Sequence, residues 1–293
     1  MASGRQLALC LGLGLFASTL LALGLLMMKS RAEALPIARG RNATRAVLVW
    51  LRDPVWTGGL VIQTAGYALY VLALAGAPVS LMAVAMQGGI ALFVLLAVLF
   101  LGERAQFREW LGIGAFLVAA SMLAVSLGAG AAEGALHPDA LATASVIAVA
   151  LAIAPIGATR LRESGTGFAI ASGLAFGMGS LYTKALADTL AGVQGAAAVA
   201  HALALSPWTW LIVTANVAGL IVLQNAFALG RGIIAMPISS AFSNLIPIVG
   251  GIAAFGERLP SDSLGAAMRV GAFALTLIAG VALAAGDLDA KAR

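Results

Sequence analysis

The sequence predicts an all-α integral membrane protein: a polytopic bundle of nine transmembrane helices, or ten, built as two inverted-topology repeats. Three observations carry this. The 293 residues are 61% hydrophobic and only 10% charged, whereas soluble domains hold about 25% charged residues. With a mean hydropathy of +1.02, there is too little polar surface to cover a water-soluble body. Apolar runs of about 20 residues, the length that crosses a hydrocarbon core, recur along the chain. Finally, Gly-Glu-Arg closes a long apolar run twice, at Glu103 and again at Glu257, 154 residues later.

Nine apolar segments are predicted, near 7–28, 56–76, 79–101, 110–130, 140–159, 166–187, 208–229, 233–255 and 264–286. In lipid each must satisfy its own backbone hydrogen bonds, so each is read as a helix. Arg5 followed by the apolar stretch Leu7–Met28 has the charge order of a signal peptide. The run is longer than a signal core and no A-x-A site follows, so a retained helix is expected. One stretch is ambiguous: Ala191–Leu205 is apolar but short and contains Gln194 and His201. It reads as a tenth span, a re-entrant piece or an interfacial helix.

Charge separates the two counts. With nine spans, one side receives Lys29, Arg31, Arg39, Arg41, Arg45, Arg52, Arg104, Arg108, Arg160, Arg162, Arg231, Lys291 and Arg293, while the other receives Arg5 and Arg258. Ten spans reduce the split to 11 against 4. Cytoplasmic connections are rich in Lys and Arg, so the nine-span count is favoured, with the N-terminus outside and the C-terminus in the cytoplasm. The net charge of +5 is thus explained by topology, and nucleic acid is not an expected partner. Cys10 is the single cysteine, and His137 and His201 have no metal-ligand spacing. Neither a disulfide framework nor a metal site is expected.

The Gly-Glu-Arg copies belong to a longer repeat. Each follows an apolar helix that begins near a proline, Pro78 or Pro237, and each precedes a Gly/Ala-rich helix. "GLLMMKSRAEA" around Lys29 resembles "GSLYTKALADT" around Lys184, at an offset of 155. Spans 1–4 and 6–9 form two halves, and the odd span 5 between them inverts the second. Secondary transporters use such repeats to build alternating access around a midplane site.

All 12 acidic residues lie in connections or near span ends. Neutral polar residues occur at depth instead: Gln63, Tyr67 and Tyr70 in span 2, Gln87 in span 3, Asn216, Gln224 and Asn225 in span 7, and Ser240 and Asn244 in span 8. Ser240 and Asn244 are four apart and share a helix face. Pro237 and Pro247 bracket them and free carbonyls for a polar ligand. These nine residues are the candidate substrate contacts, and interhelical hydrogen bonding is the competing role for each. Lys29 and Lys184 sit near span ends and Arg269 about one and a half turns into the last span, and snorkelling to headgroups is expected of all three. Glu103 and Glu257, with Lys29 and Lys184, are candidates for gating, against simple helix ending. Gly173 and Gly177 form a GxxxG pattern that predicts close helix packing.

Absent motifs narrow the function. No lysine stands in a Walker A context, so the chain has no ATP site of its own. No GxSxG, acidic metal pair or metal-ligand cluster is present, and the chain is not expected to be an enzyme or to hold a cofactor.

Paired halves that end in an apolar run, Gly-Glu and a Gly-rich final helix resemble the drug/metabolite transporter superfamily with its EamA-like repeats. The layout is most similar to the NIPA-type magnesium transporter branch, on the long basic first connection, Ala77-Pro78 and "GSLYTKAL" from Gly179. The resemblance implies a first repeat over 1–130, a linking span over 131–165 and a second repeat over 166–293. It also implies transport. That branch carries Gly-Glu and then Asn where this chain has Gly66, Tyr67 and Tyr70. Magnesium wants carboxylate oxygen, and aromatic and amide groups suit a small organic solute. The expected function is an inner-membrane secondary transporter or exporter of a small metabolite, with a proton or ion gradient as its energy source. Divalent-cation transport and a non-transport scaffold or sensor are the alternatives. The expected partners are membrane lipid and a small-molecule or ion substrate, with monomer and homodimer both open.

Overall fold

The computed structural model describes residues 4–74, 79–104, 106–127, 136–190, 192–256 and 262–291. Twelve α-helices are found among them, and no strand. They are α1 (Gly4–Ala32), α2 (Ala43–Trp50), α3 (Pro54–Leu74), α4 (Val79–Phe100), α5 (Phe107–Leu127), α6 (Pro138–Gly157), α7 (Thr159–Glu163), α8 (Thr166–Leu190), α9 (Ala196–Leu205), α10 (Pro207–Leu229), α11 (Gly232–Phe255) and α12 (Ser263–Lys291). A helix of 20 residues or more stands at each of the nine expected places. Within the described residues, five stretches are both long and apolar enough to cross a bilayer: Gly12–Ala32, Pro138–Gly157, Pro207–Leu229, Gly232–Phe255 and Ser263–Gly280. This is a helical membrane protein.

Local chemistry sets the ends. Asp53 caps α3: its Oδ1 accepts from the N–H groups of Val55 (3.0 Å) and Trp56 (2.9 Å), with Pro54 at the first helical position, where a missing N–H costs nothing. The glycines of both Gly-Glu-Arg copies have left-handed backbone, φ 66° at Gly102 and 63° at Gly256. Gly256 is the cap of α11, its N–H bonded to Gly251 O. Glycine adopts this conformation without Cβ strain, so in both copies it is the glycine that turns the chain away from the helix.

Some boundaries depart from expectation. Span 5 ends at Gly157, because Ala158 is extended (ψ 112°) and α7 begins afresh. The basic first connection folds into α2, whose Trp50 donates from Nε1 to Pro36 O at 2.8 Å. Within the ambiguous stretch, Ala196–Leu205 forms α9, ten residues long. At 1.5 Å per residue it reaches about half the hydrocarbon thickness. Pro237 and Pro247 do not break α11, which runs through both.

Helix α1 packs against α3 and α4, and α8 packs against α10 and α11. Helices α5 and α12 pack on each other. Glycines make these approaches close. A Cβ on Gly24 of α1 would lie 2.5 Å from Gly59 O of α3, and one on Gly89 of α4 would lie 2.9 Å from Ser18 O. On α8 a Cβ on Gly173 would meet the Ser239 carbonyl, and one on Gly177 would lie 2.6 Å from Ile246 Cβ. Ser172 and Ser239 hydroxyls bridge the same interface at 2.7 Å. The GxxxG pattern is therefore the α8–α11 contact. Large apolar side chains point outward, among them Val146, Val149 and Ile153 on α6, as a lipid-facing surface requires.

Gly177→Ala is expected to destabilise the fold by about 1–3 kcal/mol through overpacking. Gly114→Ala, where a Cβ meets nothing within 4 Å, should be neutral or stabilising. Reversible unfolding in mixed micelles reads the difference.

Candidate functional site

A helix ends with unpaired carbonyls and begins with unpaired N–H groups. Both problems meet at the corner where α10 gives way to α11, with only Gly230 and Arg231 between them. Two charged side chains from the N-terminal part of the chain close it. Lys29, at the end of α1, donates from Nζ to Phe227 O (2.8 Å) and Gly230 O (3.0 Å). Glu103, just past α4, accepts from the N–H of Gly232 (2.7 Å) and of Ile233 (2.9 Å). A cation at a C-terminus and a carboxylate at an N-terminus both oppose the helix dipole correctly. The two side chains also pair, Nζ to Oε1 at 3.5 Å, and are 3% and 10% exposed. Glu33 adds a third acceptor for Lys29 at 3.0 Å.

Two further ties join the same corner. Arg231 makes a two-pronged ion pair with Glu109, the buried acid of the first turn of α5, and donates to Arg104 O at 2.9 Å. Glu109 also accepts the N–H of Gln106 at 2.8 Å, fixing the start of α5. Asn225 clamps the Ala38 backbone, accepting its N–H at 2.9 Å and donating to its carbonyl at 2.8 Å. Lys29, Ala38, Glu103 and Glu109 therefore all hold residues 225–233. Nearby, Arg31 reaches Asp53 at 2.9 Å. That guanidinium, with the Trp56 N–H, holds the Asp53 carboxyl below the usual carboxylate range.

The candidate substrate contacts separate into groups. Asn225 is spent on Ala38. Asn216 is exposed and donates to Ile212 O of its own helix at 2.9 Å. Tyr67 is 58% exposed, with the Tyr70 ring 6.3 Å away. Ser240 and Asn244 are half-buried on α11, and Ser240 O accepts from Ser243. Gln224 is 2% exposed, and among the described residues neither of its amide atoms has a hydrogen-bond partner. Gln63 Oε1 and Trp56 Nε1 are buried and unpartnered as well. Each such group costs roughly 1–3 kcal/mol if nothing pairs with it. Gln87 lies on α4, its side chain outside the described set, and Ala77, Pro78 and Glu257 lie outside the described residues.

Two of the snorkelling expectations are corrected. Lys29 turns inward because the corner's carbonyls solvate its ammonium. Arg269 is 4% exposed and donates from Nε to Ser126 Oγ (3.0 Å) and from Nη2 to Ser126 O (3.2 Å) across the α5–α12 contact. Lys184 places Nζ 4.6 Å from the Phe255 ring centre, a cation–π geometry. Sequence reasoning missed Glu109–Arg231 and Trp56. The only signal for the former was two opposite charges in a chain that has few.

No protein-family model, curated protein or solved structure matches this chain. The likeness to the drug/metabolite transporters rests on the sequence motifs.

In a double-mutant cycle on Lys29→Met and Glu103→Gln, a coupling of about 0.5–3 kcal/mol is expected, read by reversible unfolding. Additive effects would mean that each residue serves only its own helix end. For Asp53 the pKa is lowered in the fold. Its charged form therefore contributes stability above its unfolded pKa of about 3.9, and this is lost as pH falls through the folded value. The stability gap between wild type and Asp53→Asn should accordingly shrink below pH ~4.

Proposed function

We propose that the chain is an inner-membrane secondary transporter that moves a small metabolite by alternating access. In this reading nine spans form two inverted EamA-like repeats, residues 1–130 and 166–293, with α6 as the linking span. The N-terminus is outside and the C-terminus is in the cytoplasm. A proton or ion gradient drives the cycle.

The observation that carries the reading is the charged corner. Lys29 and Glu103 belong to the first half, and the helix ends they close belong to the second. The corner sits with the basic connections, so it acts as the closed cytoplasmic gate. In the sequence repeat, Lys184 and Glu257 stand where Lys29 and Glu103 stand. Two facts support the pairing of halves. The contacts of α1 with α3 and α4 parallel those of α8 with α10 and α11. Both Gly-Glu-Arg glycines end their helices in the same backbone conformation. In the opposite access state the cytoplasmic ties release.

The test uses a Cys10→Ser background with Ser240→Cys as reporter. In wild type, a membrane-impermeant maleimide applied to inside-out vesicles should label the reporter slowly. Adding Glu103→Gln and Lys29→Met should raise cytoplasmic-side labelling severalfold. Unchanged labelling from that side would reject the gate.

A further inference from the structure

The seam where α1, α3 and α10 meet holds polar groups that the packing leaves unused. Trp56 and Leu60 of α3, Met28 of α1, and Leu220 and Ile221 of α10 form one apolar cluster. Gln63 lies three residues beyond Leu60, and Gln224 lies three beyond Ile221. Each therefore continues the face of its helix that enters the cluster. Gln224 and Trp56 are each 2% exposed. Among the described residues, Gln224 Nε2 and Oε1, Trp56 Nε1 and Gln63 Oε1 all lack partners. The neighbouring Asn225 differs sharply, since both of its amide atoms are used on Ala38.

The set has a chemical signature. Gln224 offers a donor and an acceptor side by side, Trp56 a second donor and Gln63 a second acceptor. None is charged. Lys29, which bonds to Phe227 one turn along α10, has its charge matched by Glu33 and Glu103. A buried site of this kind rejects ions, because no counter-charge offsets their desolvation. It favours an uncharged group that itself carries a donor beside an acceptor.

We infer that Gln224, Gln63 and Trp56 form a recognition site for an uncharged solute bearing a carboxamide, lactam or ureide group. The inference rests on the transporter reading and names its substrate class. Gln224 makes the paired contact, and Trp56 and Gln63 select the flanking polarity. The Trp56 ring is held by Trp50, 5.8 Å away, whose own N–H is committed to Pro36.

The experiment measures binding and uptake of radiolabelled nicotinamide and uracil by the full chain in proteoliposomes, with choline and citrate as charged controls. Wild type should bind at least one neutral probe and neither control. Gln224→Leu should reduce that binding at least tenfold. Gln63→Leu should reduce it less, and Gln224→Asn should restore part of it. The inference is overturned if neither neutral probe binds wild type. It is also overturned if Gln224→Leu and Gln63→Leu leave binding unchanged, whether or not they raise thermal stability; the glutamines would then be packing polarity satisfied by water. The Ser240→Cys sidedness assay separates this from the transporter reading. Gating that responds to Glu103→Gln without neutral-probe binding removes the seam alone. Gln224-dependent binding without a change in sidedness keeps the site and removes the gate.

Discussion

A turn between two membrane helices exposes backbone groups that lipid cannot satisfy, and at the α10–α11 corner the other half of the chain satisfies them. Lys29 takes the carbonyls and Glu103 takes the N–H groups. Because each charge is matched both by a helix dipole and by the other charge, two ions are held at low exposure without stranding either. The placement of α1, α4 and α5 around α10 and α11 follows from this.

Glycine supplies the second constraint. Lipid gives no hydrophobic drive for helix association, so contacts rely on close approach. Gly24 and Gly59 let α1 and α3 touch at the backbone; Gly173 does this for α8 and α11, and Gly177 seats the Ile246 side chain. Helix α1 is thereby held closely to α3 and α4, and α8 to α10 and α11. Polar bonds such as Ser172–Ser239 and Arg269–Ser126 then fix register where packing alone would slide.

The helices were legible because an apolar run of about 20 residues has one outcome in lipid. The glycine in Gly-Glu-Arg was legible as a stop, and the left-handed backbone at Gly102 and Gly256 gives the reason. The direction of side chains was much less legible. A helix that is apolar nearly all round has no polar face to orient it. The sequence therefore could not tell that Asn225 faces a loop, that Asn216 folds back on its own helix, or that Gln224 is buried between them in sequence. Lys29 was misread as snorkelling because its partners, Phe227 and Gly230, lie about 200 residues away. α2 escaped notice because its eight residues are held by Trp50 and the cluster around it rather than by a long apolar pattern.

The most direct measurement of the central claim is the distance across the corner. Gln106, just before α5, and Arg160 on α7, which packs against α8, are both exposed; spin labels at the two positions would be introduced in a Cys10→Ser background and read by pulsed dipolar spectroscopy. The account predicts one narrow short-distance population in wild type and a second, longer population in Glu103→Gln. A distribution that stays single and unchanged when Glu103 loses its charge, in a protein that remains folded, would contradict it.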